Sequence, residues 1–246
     1  GTVLAAGASC EFAITRLVAG DFSGPDHVNV FTGKVEDDDK TEATDTDDAT
    51  VSFTDVVPTI VVTKTPSVNS VPETGANVTF TFTVENTSTE EPVAISSLSD
   101  SVYGVLTGDA DCQVDTVLAA GANCEFAITR WVEGDFGGPA HNNIFTAVAV
   151  DDDGTEATDE DDATVSFTDV APSIVVTKTP SVNSVPETGA NVTFTFTVQN
   201  TSAAEAVTIT SLTDSIYGTL DGDADCQVGT VLAAGASCEF AITRLV

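Results

Sequence analysis

The 246-residue chain contains no methionine, one tryptophan, two tyrosines, two histidines and only seven lysines and arginines. Basic residues are so scarce beside the 39 Asp and Glu that the net charge reaches −32, which argues against nucleic acid or anionic lipid as partners. No apolar run reaches the length of a membrane span and no charged-then-apolar leader is present, so no segment here is read as spanning a membrane. Apolar residues nowhere sustain the three-to-four spacing of an amphipathic helix. Nucleophile and base constellations are missing as well: there is no Gly-x-Ser-x-Gly, no His-Glu-x-x-His and no cysteine close to a histidine. The chain is therefore read as not an enzyme.

What the sequence has is repetition. GTVLAAGASCEFAITRLV at Gly1–Val18 returns as DTVLAAGANCEFAITRWV at Asp115–Val132, and in its first wording at Gly229–Val246, with an offset of 114 residues each time. VPTIVVTKTPSVNSVPETGANVTFTFTV at Val57–Val84 recurs almost unchanged at Ala171–Val198. Such a period is the size of an independent domain rather than of a solenoid rung. Pro58 and Pro172 follow strand-closing runs and set the boundaries. Residues 1–57 are expected to be the C-terminal half of one repeat, 58–171 a complete repeat, and 172–246 the N-terminal part of the next. Cysteines agree with this phase: Cys112 pairs locally with Cys124 and Cys226 with Cys238, whereas Cys10 stands alone. The counterpart of its partner falls before Gly1, so the chain reads as a window on a longer array.

Paired cysteines at a repeated spacing indicate an oxidising, extracellular compartment. The stretch from Cys112 to Cys124 reads as strand, turn, strand, so the expected bridge clips a hairpin and contributes about 3 kcal/mol in the chain-entropy model. Two buried free thiols are the alternative; a zinc site lacks the close Cys-x-x-Cys pair and a companion histidine. Val78, Phe80, Phe82 and Val84 alternate with Thr79, Thr81 and Thr83, the period-two mark of a half-buried strand. Similar short runs at 60–63, 93–95, 126–129, 144–150 and 163–167 are separated by turn residues such as Pro72-Glu73-Thr74-Gly75, Gly137-Gly138-Pro139 and Asp153-Gly154. The expected fold class is all-β: tandem immunoglobulin-like β-sandwich domains with antiparallel strands.

The order of these pieces carries a resemblance. IVVTKTPSVNSVPETGANVTFTFTVENTS, followed by DSVYGVL, the cysteine pair and FTAVAVDDDGTEATDEDDATVSF, resembles the Ig-like conserved repeat domain found in tandem arrays on bacterial and archaeal surface proteins. That resemblance implies a cell-surface stalk, adhesin extender or fibre subunit, and supplies no catalytic residues.

Calcium is the expected cofactor, because hard divalent cations take six to eight oxygen ligands and this chain is crowded with carboxylates. Adaptation of the whole surface to high salt is the alternative. The main candidate is the acidic hairpin at Asp151, Asp152, Asp153, Glu156, Asp159, Asp161 and Asp162, with its first copy at Asp37, Asp38, Asp39, Glu42, Asp45, Asp47 and Asp48. It is not an EF-hand, since Lys40 and Thr46 occupy positions where that loop needs Gly and Glu. A merely solvated acidic edge is the competing reading. Asp109 and Asp111 beside Cys112 form a second candidate, and Asp169, like Asp55, stands close to a junction proline where it could ligate an ion between repeats or cap a strand. The junction lacks glycine and is short and proline-stiffened, which favours a rod. Lys64 and Lys178 would be costly if buried without a partner, and admit a Lys-to-Asn isopeptide of the kind some Gram-positive adhesin domains form. Asn77, Asn86, Asn191 and Asn200 open Asn-x-Ser/Thr sequons. His27 and His141 read as ordinary loop histidines.

The function expected from these features is a structural repeat of an extracellular surface fibre or stalk, rigidified by calcium and local disulfides. Its partners would be like repeats, by self-association into fibres or a continuous array. The competing function is an adhesin whose repeats bind glycan or a host protein.

Overall fold

A computed structural model describes residues 1–203 and 205–246. Among the described residues there is strand, turn and coil but no helix, as the absence of helical spacing predicts. In chain order the strands are β1 (His27–Glu36), β2 (Glu42–Val51), β3 (Ile60–Pro66), β4 (Ser70–Pro72), β5 (Ala76–Asn86) and β6 (Val93–Asp100). They continue with β7 (Gly104–Val105), β8 (Val117–Leu118), β9 (Asn123–Val132), β10 (His141–Val150), β11 (Glu156–Thr168) and β12 (Ile174–Pro180). The last six are β13 (Asn191–Asn200), β14 (Val207–Thr208), β15 (Thr213–Asp214), β16 (Gly218–Thr219), β17 (Val231–Leu232) and β18 (Ser237–Leu245).

The chain divides into two compact units, residues 1–63, 83–126 and 145–161 in one, and residues 64–82, 127–144 and 162–246 in the other. β1 and β2 form an isolated antiparallel hairpin with His27 opposite Val51 and Glu36 opposite Glu42. β3, β5 and β9 make a three-stranded sheet, while β4, β11, β10, β6 and β7 make a second sheet with β8 paired to β6. β12, β13 and β18 repeat the first of these sheets. The pairs β1–β2, β6–β10, β6–β7, β6–β8, β12–β13, β13–β18, β14–β17 and β15–β16 are antiparallel, while Ser70 to Pro72 of β4 run parallel to Ser166 to Thr168 of β11.

Alternation explains which residues are buried. On β5 the side chains of Val78, Phe80, Phe82 and Val84 are inaccessible, as their spacing predicts, and on β10 Phe145, Ala147 and Ala149 follow the same phase. Phe126 of β9 meets Phe145 of β10 edge to face with ring centroids 6.0 Å apart. A second apolar cluster gathers Val198, Ile209, Leu220, Cys226, Leu232 and Phe240. His27 and His141 open β1 and β10 rather than sitting in loops, and His141 lies against Phe80.

Both expected disulfides are present, Cys112–Cys124 with Cα atoms 5.2 Å apart and Cys226–Cys238 with 5.3 Å, while Cys10 is a free, exposed thiol. The first does not clip a hairpin. β8, which follows Cys112, pairs with β6, whereas Cys124 lies on β9, which pairs with β5. Turn chemistry between the cysteines suggested a local hairpin, but non-local pairing claims each strand, and the bridge ties β9 to a loop outside its own sheet.

Candidate cation site at the repeat junction

Asn86 and Asn200, which close the TVENTS and TVQNTS segments, do structural work that prepares this site. Each is fully buried. Asn200 Nδ2 donates to the carbonyls of Glu205 and Leu232, and its Oδ1 accepts the Ser202 N–H; Asn86 repeats this with Glu91, Leu118 and Ser88. These bonds fix the loops that carry Glu205 and Glu91. They also take Asn86 and Asn200 out of reach of glycosylation, correcting two of the four sequons, while Asn77 and Asn191 remain exposed.

Glu73 is set by a tight turn. Gly75 donates its N–H to Pro72 O and adopts a φ of 86°, the left-handed region that glycine tolerates. A Cβ there would also lie 2.5 Å from the ring of Trp131. From this turn the Glu73 carboxylate accepts the Val170 N–H on one oxygen and the Phe136 N–H on the other, at 3.2 Å. The loop holding Phe136 is placed by Gly134, where a Cβ would stand 2.4 Å from the ring of Phe167. Glu73 therefore clamps the linker after β11.

The consequence is that Glu73, Asp169 and Glu205 bring ligand oxygens within 4.8 Å of one another. The Val170 N–H, its strongest influence, holds the Glu73 carboxyl below its ordinary value of 4.5. Glu205 is pushed above 4.5, first by desolvation and then by the charges of Glu73, Asp169 and Asp135. Carboxylates at this spacing repel one another, and a shared proton or a cation would relieve that repulsion. At the preceding junction Glu91 is likewise raised, first by desolvation and then by Asp152, Asp151, Asp153 and Asp55. Asp55, the counterpart of Asp169, accepts from Thr155 Oγ1 at 3.1 Å.

The other candidates are distributed. Asp151 and Asp37 each use Oδ1 to accept two N–H groups of their own turn, from Asp153 and Thr155 and from Asp39 and Thr41. Asp151 is buried, and its Oδ2 has no hydrogen-bond partner. Along β11, alternation points Asp159 and Asp161 to one side and Glu156 and Asp162 to the other. Asp159 accepts the Val62 N–H at 2.8 Å, and Asp162 accepts from Asn142 at 2.7 Å. In the first copy Glu42 pairs with Lys34 at 2.6 Å, and Asp38, Asp45, Asp47 and Asp48 are exposed. Asp109 Oδ1 accepts the N–H groups of Asp111 and Cys112, shaping the loop that presents the disulfide. Of the acids singled out in the sequence, the triad includes Asp169 alone. Glu205 had a visible signal: Glu91 and Glu205 match across a stretch in which Thr89, Glu90 and Pro92 give way to alanines.

No family model matches the chain, and no curated protein matches it. One similar solved structure is the crystal structure of a protein of unknown function from Porphyromonas gingivalis W83. It shares 13% identity, covers 74% of this chain and 82% of its own, and superposes with a TM-score of 0.26.

Proposed function

We propose that the chain is a run of immunoglobulin-like sandwich repeats from an extracellular surface fibre or stalk, stiffened at its junctions by calcium. The observation that carries this reading is the triad. Glu73 belongs to the 58–171 period, Asp169 to its closing linker and Glu205 to the following period, yet their oxygens converge. A cation held there would lock successive repeats at a fixed angle, which suits a load-bearing rod more than a flexible tether. Two supports are independent of the metal: the 114-residue repeat, and the Phe126–Phe145 contact between strands of different sheets, as a sandwich core requires. The disulfides and the acidic surface suit an oxidising exterior where millimolar calcium is present. Scanning calorimetry of the 246-residue chain with calcium and with EDTA tests the reading. Calcium is expected to raise Tm, and the Glu73→Gln/Glu205→Gln variant to lose most of that rise. An identical Tm in both buffers removes calcium from the account.

A further inference from the structure

In the intact repeat, β10 and β11 cover the inner face of the earlier strands. Asp159 of β11 accepts the Val62 N–H at 2.8 Å, and Lys64 Nζ donates to the main-chain oxygen of Asn143 on β10 at 2.9 Å. Phe145 of β10 meets Phe126 edge to face. Beneath these contacts Ile60 and Val62 are 7% and 3% exposed.

One period later the same face is bare. Ile174 and Val176 are 56% and 66% exposed. A trough of about 320 Å³ opens between Val176, Phe196, Val198, Leu212 and Phe240, each identical to its counterpart in the intact repeat. Strand structure is lost there too. β6 pairs with β10 along its length, whereas its counterpart at 207–214 holds only the fragments β14 and β15, with 209–212 in coil. β4 pairs with β11, and its counterpart at 184–186 is coil. An open sheet edge beside an apolar trough is a place for another strand pair to dock.

Residues 27–54 carry that pair. β1 and β2 are the counterparts of β10 and β11, and they form a sheet of two strands alone, with Phe31 exposed where Phe145 is inaccessible. Asn29, Phe31 and Asp45 stand where the intact repeat has Asn143, Phe145 and Asp159. Gly33 and Val35 replace Ala147 and Ala149, a change of one carbon overall.

We propose that residues 27–54 of a second copy seat on the open face of residues 172–246, β1 lying along 207–214, so that copies join head to tail. The inference rests on the repeat reading above and not on its calcium. The partner's Asp45 accepts the Val176 N–H, and the partner's Asn29 carbonyl takes one of the Lys178 N–H groups not used on Asp214. The partner's Phe31 fills the trough against Phe240. Donor and acceptor are different surfaces, so the contact builds open chains rather than a closed dimer. Phe12 now lies edge to face against Phe31 at 6.0 Å, but residues 10–16 are exposed coil and can yield the ring. Both surfaces belong to an acidic chain, so salt favours the joining.

The test is sedimentation velocity of the 246-residue chain over a concentration series, in calcium and in EDTA. The mass should climb from one chain to two and more in both buffers, and climb further at high salt. Phe31→Asp removes the donor and Val176→Asp the acceptor, so each should stay monomeric, while their mixture should give one-to-one dimers that grow no further. Phe12→Ala should assemble at about 2- to 10-fold lower concentration, the worth of one aromatic contact. Amides at 209–212 should gain hydrogen-exchange protection in the assembled fraction. A chain that is monomeric at every concentration overturns the proposal. So do oligomers that persist in Phe31→Asp, a mixture that fails to dimerise, or assembly without protection at 209–212. Oligomers that form equally in EDTA stand even where calcium leaves Tm unchanged, and a calcium-dependent Tm stands in a monomer, so the two readings fail separately.

Discussion

Residues 1–57 and 115–171 are nearly the same sequence, yet they differ in what they bury. Phe12 is 72% exposed and its counterpart Phe126 2%; Phe31 is 60% exposed and Phe145 is inaccessible. Secondary structure divides along the same line. The hairpin β1–β2 forms in the first copy as β10–β11 does in the second, because its partners are joined by a five-residue turn held by Asp37. The CEFAITR stretch is strand β9 in the second copy and part of β18 in the third, where β5 and β13 pair with it; at Cys10–Arg16 it is coil. Local turn chemistry is thus enough to set a register, while a core requires strands that arrive from elsewhere in the chain.

The comparison can be broken most directly at its aromatic pair. Phe126→Ala should cost about 3–5 kcal/mol in urea unfolding followed by circular dichroism, since it leaves a cavity against Phe145, while Phe12→Ala should stay within about 0.5 kcal/mol. Equal losses at the two positions would show that residues 1–57 own a core of their own. Next in size is the bridge. Cys124→Ser should lower stability by about 3 kcal/mol under oxidising conditions, with Cys10→Ser unchanged. A Cys10→Ser loss as large as that of Cys124→Ser sinks the distinction.

The strands were legible because alternation is a property of neighbours in sequence: Val78, Phe80, Phe82 and Val84 could face only one way once the thr-rich face took the other. The disulfide partners were legible from spacing, but their setting was not, since β8 and β9 find β6 and β5 instead of each other. The acidic residues spread in a way that spacing alone does not convey. Neighbours in DDDGTEATDEDD look like one ligand set, yet a strand sends alternate side chains to opposite sides, so Asp159 and Glu156 part. Glu73, Asp169 and Glu205 meet through folding of distant segments, a relation that no local window contains. Buried Asn200, donating to the Glu205 carbonyl at 2.7 Å, is the kind of link that only the folded chain creates.

The smallest effect lies in the carboxylates, and it has two signs. Glu91 and Glu205 are raised above 4.5, so the native state binds their protons more tightly than the unfolded chain does. Their ionisation weakens the calcium-free fold above that range, and stability rises as pH falls through it. Asp214 runs the other way: the Lys178 hydrogen bond, then the Ile216 and Tyr217 N–H groups, lower it from 3.8 to about 2. Its contribution is complete above 3.8 and is lost as pH falls towards 2. Melting temperatures in EDTA should therefore climb on mild acidification and decline below pH 4. Lys178→Met should soften the decline while sparing the climb, because the lysine touches Asp214 and lies outside the groups that raise Glu91 and Glu205. An unaltered acid limb in Lys178→Met would show that the second copy's lysine pair does not stabilise the fold in solution.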